Sequence, residues 1–307
     1  MHHLHHAGLG SSWSAFCTLI LVLTALVYLR GWLSRRSNIS NVTSAWHVVS
    51  FLLGLFLIWA AMASPIAALD HELLTVHMLQ HLLLMTLAPP LIWLAAPAGP
   101  LLAGLPRRLV ESLLIPSRQS PATKRFAKAV GKLEFAWLVA FATLVGWHIP
   151  RFFALGMQST GWHLFEQLSF LAAGLLFWWP VVQPSAGASR QDLSMILYLF
   201  FATLPCDILS GFLVFSERVV YPAYFSSSHL FGLSPLVDQQ CAAALMWTCV
   251  TIVYFVAGAI LTVRLLSPQD FAQGGFVQPE LLATEIAHPT WRSEKVVKII
   301  STIQANG

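Results

Sequence analysis

Charge is scarce in this chain. Asp, Glu, Lys and Arg make up 10% of its 307 residues, against about 25% in soluble domains. With 57% hydrophobic residues and a mean hydropathy of +0.69, the composition excludes a soluble globular domain. It also excludes intrinsic disorder, which needs low hydrophobicity and high charge. Cysteine is equally sparse. The four cysteines stand at 17, 206, 241 and 249 with no CxxC pair, so neither a disulfide scaffold nor a zinc ribbon nor a thioredoxin-like site is supported. The leader MHHLHHAGLGSSWSAF lacks Lys and Arg. A secretory signal peptide carries positive charge ahead of its apolar run, so the first run reads as an uncleaved helix. No predicted helix core holds a lysine, which excludes a retinal Schiff base.

What the chain has in abundance is apolar runs. Crossing ~30 Å of hydrocarbon takes ~20 helical residues, and seven runs qualify: 12–33, 46–69, 74–96, 133–149, 162–182, 192–215 and 238–266. The predicted fold is all-α, a polytopic membrane bundle of seven transmembrane helices. A His-rich segment (1–11) precedes it, a basic loop with several prolines (97–132) interrupts it, and a polar tail (267–307) follows. Lys and Arg set the orientation. Fifteen of the 17 fall in the loops after helices 1, 3 and 5 or at the C-terminal end; only Arg151 and Arg218 lie opposite. The expected topology has the N-terminus outside and the C-terminus in the cytoplasm. The net charge of +4 is thus a topology signal and not a sign of nucleic-acid binding.

The histidines segregate the other way. Ten of 12 fall on the outer side: His2, His3, His5, His6, His71, His77, His81, His148, His163 and His229. The charge rule does not explain this, and neutral imidazole is the commonest metal-ligating side chain. His77 and His81 are four apart, hence on one face of helix 3 one turn apart, and Met85 extends the stripe. Ionisable groups inside a membrane are costly and usually functional. Two imidazoles and a thioether suit copper, although a polar helix contact with Met85 as packing is the plainer alternative. His148 closes helix 4 in Trp147-His148-Ile149-Pro150, where Pro150 stops the helix. His163 opens helix 5, and Glu166 and Gln167 at i+3 and i+4 are placed to orient an imidazole; interfacial anchoring is the alternative. Helix 6 carries Pro205-Cys206-Asp207, with Asp207 read as the one acid clearly within a span. Asp238 opens helix 7 as an N-cap or a ligand. Cys206 and Cys241 fall in outer halves of their helices, open to a disulfide, to Cu(I) or to inert packing. His2, His3, His5 and His6 resemble a metal-gathering tail, and His71 is a further candidate.

Taken in order, these segments resemble the CtaG family of cytochrome c oxidase assembly factors. The resemblance rests on Ser64-Pro65 through Pro97 with HMLQHLLLMTLAPPLIWLAAP at its heart, on WHIP at 147–150, and on WHLFEQLSFLAAGLLFWWPVV at 162–182. RVVYPAYF at 218–225 and LVDQQCAAALMW at 236–247 complete it. It departs at Ala242-Ala243, where the family commonly has glycines. The resemblance implies a multipass protein of the bacterial plasma membrane that supports heme–copper oxidase assembly, with His77, His81, His148, His163 and Asp238 as its functional positions.

The expected function is therefore a non-enzymatic, copper-binding assembly factor that holds copper at the outer face. Its partners would be heme–copper oxidase subunits or another copper chaperone, within the lipid bilayer, with a homodimer left open. Two readings compete. A haem-binding redox protein would use histidines on facing helices, but these histidines occupy one level only. A proton or metal transporter would rely on Asp207.

Overall fold

The computed structural model describes residues 3–36, 45–114, 120–121, 125, 131–182, 191–225 and 232–266. Among them there is no strand. His2, His229, His288, the tail from 267 and part of the basic loop lie outside the described residues, as do the side chains of His3, His5 and His6. Residues 1–262 form one compact unit; in the second, 263–307, only 263–266 are described.

The first helix, α1 (His3–Arg36), begins well before the expected span. It is followed by α2 (Ala45–Met62) and by α3 (Leu74–Leu94), which is α-helical at both ends with a π turn at Leu83–Leu87. Then come α4 (Ala98–Gly104), α5 (Leu133–His148), α6 (Pro150–Gln158), α7 (Thr160–Val182), α8 (Gln191–Phe215) and α9 (Pro235–Leu266). Among the described residues, six segments are long and apolar enough to cross a membrane: 12–35, 45–69, 74–94, 160–182, 193–215 and 235–264. The pair α5–α6, bent by 77°, makes a seventh if counted as one span. The chain is a multipass membrane protein. Phe200, Phe201, Ile208 and Phe212 of α8 are exposed, as lipid-facing side chains should be when the surrounding solvent is itself apolar.

One expectation needs correction. The segment 97–132 is not simply a loop: it opens with α4, which packs on α1. Gly31 of α1 meets the Pro100 carbonyl and Gly104 of α4 meets the Val27 carbonyl, each leaving no room for a Cβ, the small-residue contact that lets membrane helices touch backbone to backbone. Between the fourth and fifth expected spans, 150–158 forms a helix of its own. Pro150 ends α5 and occupies the first turn of α6, where its missing N–H costs nothing. Ile149 before it is extended (φ −66°, ψ 126°), as steric clash with the proline ring demands. The break turns α6 across the end of the bundle.

The π turn in α3 has a local cause. Pro89 and Pro90 supply no N–H to the carbonyls of Met85 and Thr86, and a proline ring crowds the carbonyl four residues back. The turn widens, as helices do where the regular ladder is interrupted. Trp178 Nε1 of α7 donates to the freed Met85 carbonyl at 3.1 Å. Gly174 makes this approach possible: a Cβ there would stand 2.6 Å from the Met85 oxygen. Ala242 and Ala243 are both fully buried, so α9 packs closely without glycine at those positions.

Gly174→Ala is expected to destabilise the protein by ~1–3 kcal/mol, the usual cost of overpacking, because its neighbour is backbone and cannot move aside. Gly161→Ala, which faces open space, is the control. Thermal unfolding in detergent checks this; equal midpoints for the two variants would refute the close α3–α7 contact.

Candidate metal centre

The polar residues of the bundle converge at one end. His77 and His81 lie one and two turns into α3, His163 and Glu166 lie in the first two turns of α7, and His148 is the last residue of α5. Asp70 precedes α3. All six are buried.

Glu166 sits at the centre. Its Oε1 is 3.5 Å from His77 Nε2 and 3.4 Å from His81 Nε2; its Oε2 is 3.5 Å from His163 Nδ1. None of these approaches has hydrogen-bond geometry. Both nitrogens of His77 and of His81, Nδ1 of His163 and both oxygens of Glu166 are buried without a hydrogen-bond partner. A buried unpartnered polar group costs ~1–3 kcal/mol, so seven together make a poor packing arrangement and a good ligand set. Ligand atoms of His77, His81 and Glu166 all lie within 4.8 Å of one another. Two ligands bound tetrahedrally at ~2.1 Å stand ~3.4 Å apart, close to the two Nε2–Oε1 distances. Two imidazoles and a carboxylate suit a borderline first-row ion and leave a coordination position open.

The surroundings hold these groups in place. His163 Nε2 lies 2.8 Å from Asp70 Oδ2 and 2.9 Å from the Gln167 amide nitrogen. Gln80 Nε2 donates to Asp70 Oδ2 at 3.2 Å and to the Ala67 carbonyl at 3.1 Å. Burial pushes the Asp70 carboxyl up, but the His163 hydrogen bond and the His163, His71 and His77 charges outweigh it and hold it below its ordinary value. His71 is half exposed and 3.8 Å from Asp70 Oδ1; burial lowers its imidazole, with Asp70 opposing. The His81 ring stacks on Phe170 at 3.9 Å, and the His77 ring lies 5.1 Å from Phe153 of α6. Gly156 of α6 clears space for the carboxylate: a Cβ there would stand 2.5 Å from Glu166 Oε2. Tyr221 donates to the His148 carbonyl and Tyr224 to the Asp70 carbonyl, at 3.1 and 2.7 Å.

The other sequence candidates fall in different places. His148 is near the cluster, its ring 6.0 Å from that of His81, but it is outside the group of three. Met85 and Cys206 line a cavity that His81 and His148 also line. Cys241 is exposed, and both cysteines are free, so they form no disulfide. Asp207 is not the one acid within a span, since Glu166 lies inside α7; it lines neither the cavity beside His81 nor the vestibule beside Asp70. Asp238 is a cap, but not for its own helix. Its Oδ2 accepts from Leu74 N at 2.6 Å, and its Oδ1 accepts from Thr75 N at 3.1 Å and Thr75 Oγ1 at 2.6 Å. It thus satisfies the first turn of α3, while Ser234 serves α9 by accepting from Val237 N. Asp70, Gln80, Met78, Phe153 and Gly156 were not anticipated as parts of the site. The only local signal for any of them was the acid at 70, at the end of an apolar run.

A family model described as cytochrome c oxidase caa3 assembly factor matches residues 26–267. No curated protein and no solved structure matches the chain.

Two outcomes are expected. Gly156→Ala should displace Glu166 and weaken metal binding ~10–100-fold, the range for groups that orient ligands. It should not lower the unfolding midpoint, because alanine favours a helix over glycine. Cobalt titration alongside thermal unfolding reads both. Asp238→Ala should cost ~1–2 kcal/mol, a strong cap's worth, with metal stoichiometry intact. Loss of metal at normal stability would make Asp238 a ligand instead.

Proposed function

The chain belongs to the cytochrome c oxidase caa3 assembly factor family, and from that premise we propose that its histidine centre carries copper for a heme–copper oxidase under assembly. The observation that carries this reading is the buried triad of His77, His81 and Glu166 with every ligand atom unpartnered. The triad offers three donors and an open coordination position, the arrangement from which an ion leaves by ligand exchange. The protein acts as a carrier and not as an enzyme.

The route in is a vestibule of about 350 Å³ bordered by Trp13, Ser64, Asp70, Gln80, His163 and Gln167. Its wall is mostly apolar, with Asp70, Gln80 and Gln167 as the polar groups an approaching cation would meet, and the Asp70 carboxylate draws positive charge toward His163. His163 pairs with Asp70 on one nitrogen and faces Glu166 with the other, so it is placed to guide the ion from vestibule to triad. The triad lies at the end of the bundle opposite the basic residues that follow α3. By the positive-inside rule, that end faces the exterior of a bacterial plasma membrane. The recipient is an oxidase subunit or a further copper chaperone on the same side.

The full-length chain, purified in detergent, is expected to hold about one copper per chain and no haem, and the His77→Ala/His81→Ala double variant none, since removing two of three ligands abolishes a site of this kind. In cells, the variant should reach normal membrane levels while the oxidase is copper-deficient. Unchanged oxidase copper beside normal levels of the variant would overturn the proposal, as would stoichiometric haem in the purified protein.

A further inference from the structure

The triad leaves a second group of donors unused. Beside His81 lies a cavity of about 40 Å³ bordered by His81, Met85, His148, Cys206 and Met246, room for an ion or a water. The sulfur-bearing residues around it are buried. At its edge His148 Nδ1 lies 2.7 Å from the Leu144 carbonyl, which can only accept. In a neutral imidazole one nitrogen carries the proton and the other a lone pair, so the proton is on Nδ1 and Nε2 offers its lone pair. What Nε2 faces, at 3.3 Å, is the thioether sulfur of Met78. Two lone pairs therefore point at one another with no proton between them, a contact that an electron-pair acceptor turns from repulsive to bonding. A nitrogen and a sulfur bound to one tetrahedral ion at ~2.1 and ~2.3 Å stand ~3.6 Å apart, a small rotamer adjustment from the observed separation. His81, buried and with neither nitrogen hydrogen-bonded, borders the cavity on one side and the triad on the other.

We propose that these residues form a second metal site, selective for a soft monovalent ion. His148 Nε2 and Met78 Sδ are its first two ligands, and Met85, Cys206 and Met246 line the cavity that His148 also borders. Thioether and thiolate donors select Cu(I), whereas a set with a carboxylate suits divalent ions. The two sites thus differ in the kind of ion each prefers and share His81 as a common wall. The inference that this site serves copper transfer rests on the proposed function; its existence does not.

The test uses the full-length chain in detergent under anaerobic conditions, with Ag(I) as the soft probe and Co(II) as the divalent one. Met78→Leu keeps the volume of the side chain and removes the sulfur. It is expected to lower Ag(I) affinity ~10–100-fold and to leave Co(II) binding unchanged. Glu166→Gln is expected to do the reverse. X-ray absorption of the Ag(I)-loaded wild type should show sulfur in the first shell, and this reading holds even if Met78→Leu fails to fold. Nitrogen and oxygen neighbours only, or unchanged Ag(I) affinity in folded Met78→Leu, overturns the proposal. Ag(I) bound through sulfur with no Co(II) binding would remove the triad as a metal site and leave this one standing. Co(II) bound without Ag(I) would do the opposite.

Discussion

A carboxylate inside a membrane bundle has no water to solvate it, and a lone charge there is costly unless a cation or a set of hydrogen bonds accompanies it. Glu166 has neither bond on either oxygen. It has instead three imidazoles at 3.4–3.5 Å. Much of the neighbouring architecture follows from accommodating that one group. Gly156 is small because the carboxylate fills the space above it. α6 bends 77° away from α5 and sets Phe153 against His77. Asp70 takes up the far nitrogen of His163, so the ring has its other nitrogen directed at Glu166.

The scaffold under the site is built by residues that interrupt regular structure. Pro89 and Pro90 widen α3 into a π turn, and the freed Met85 carbonyl becomes the anchor for Trp178. Pro150 breaks α5 from α6, which leaves His148 at a helix terminus with its carbonyl available to Tyr221. In each case a backbone group released by proline is taken up by an aromatic side chain from another element. The ladder defects thereby become cross-links in a bundle where the hydrophobic effect gives helices little reason to associate.

Most of the spans were legible because apolar length is a strong signal, and the histidine level was legible because helix direction fixes depth. Glu166 was visible only as a helper three residues from His163; that it meets His77 and His81 depends on how α3 and α7 pack, which spacing along one chain does not encode. Asp238 read as the cap of its own helix or as a ligand, because capping is usually local. Its true partner lies 164 residues away in sequence. α6 fell between the expected spans, being too short to cross and outside the apolar pattern. Met78 carried no signal at all: a methionine on an apolar helix is ordinary until His148 is seen opposite it.

The cap that Asp238 places on α3 also bears on biogenesis. The amides of Leu74 and Thr75 wait for an acceptor that emerges from the ribosome only with the last membrane helix. Until α9 is in place, the segment carrying His77 and His81 has a frayed first turn within the bilayer. A nascent chain, or one truncated before residue 238, would therefore display its histidines without holding them in register. The register of the helix that carries both histidines is thus fixed by a residue of a much later span, and the cluster is complete only when that span has joined the bundle.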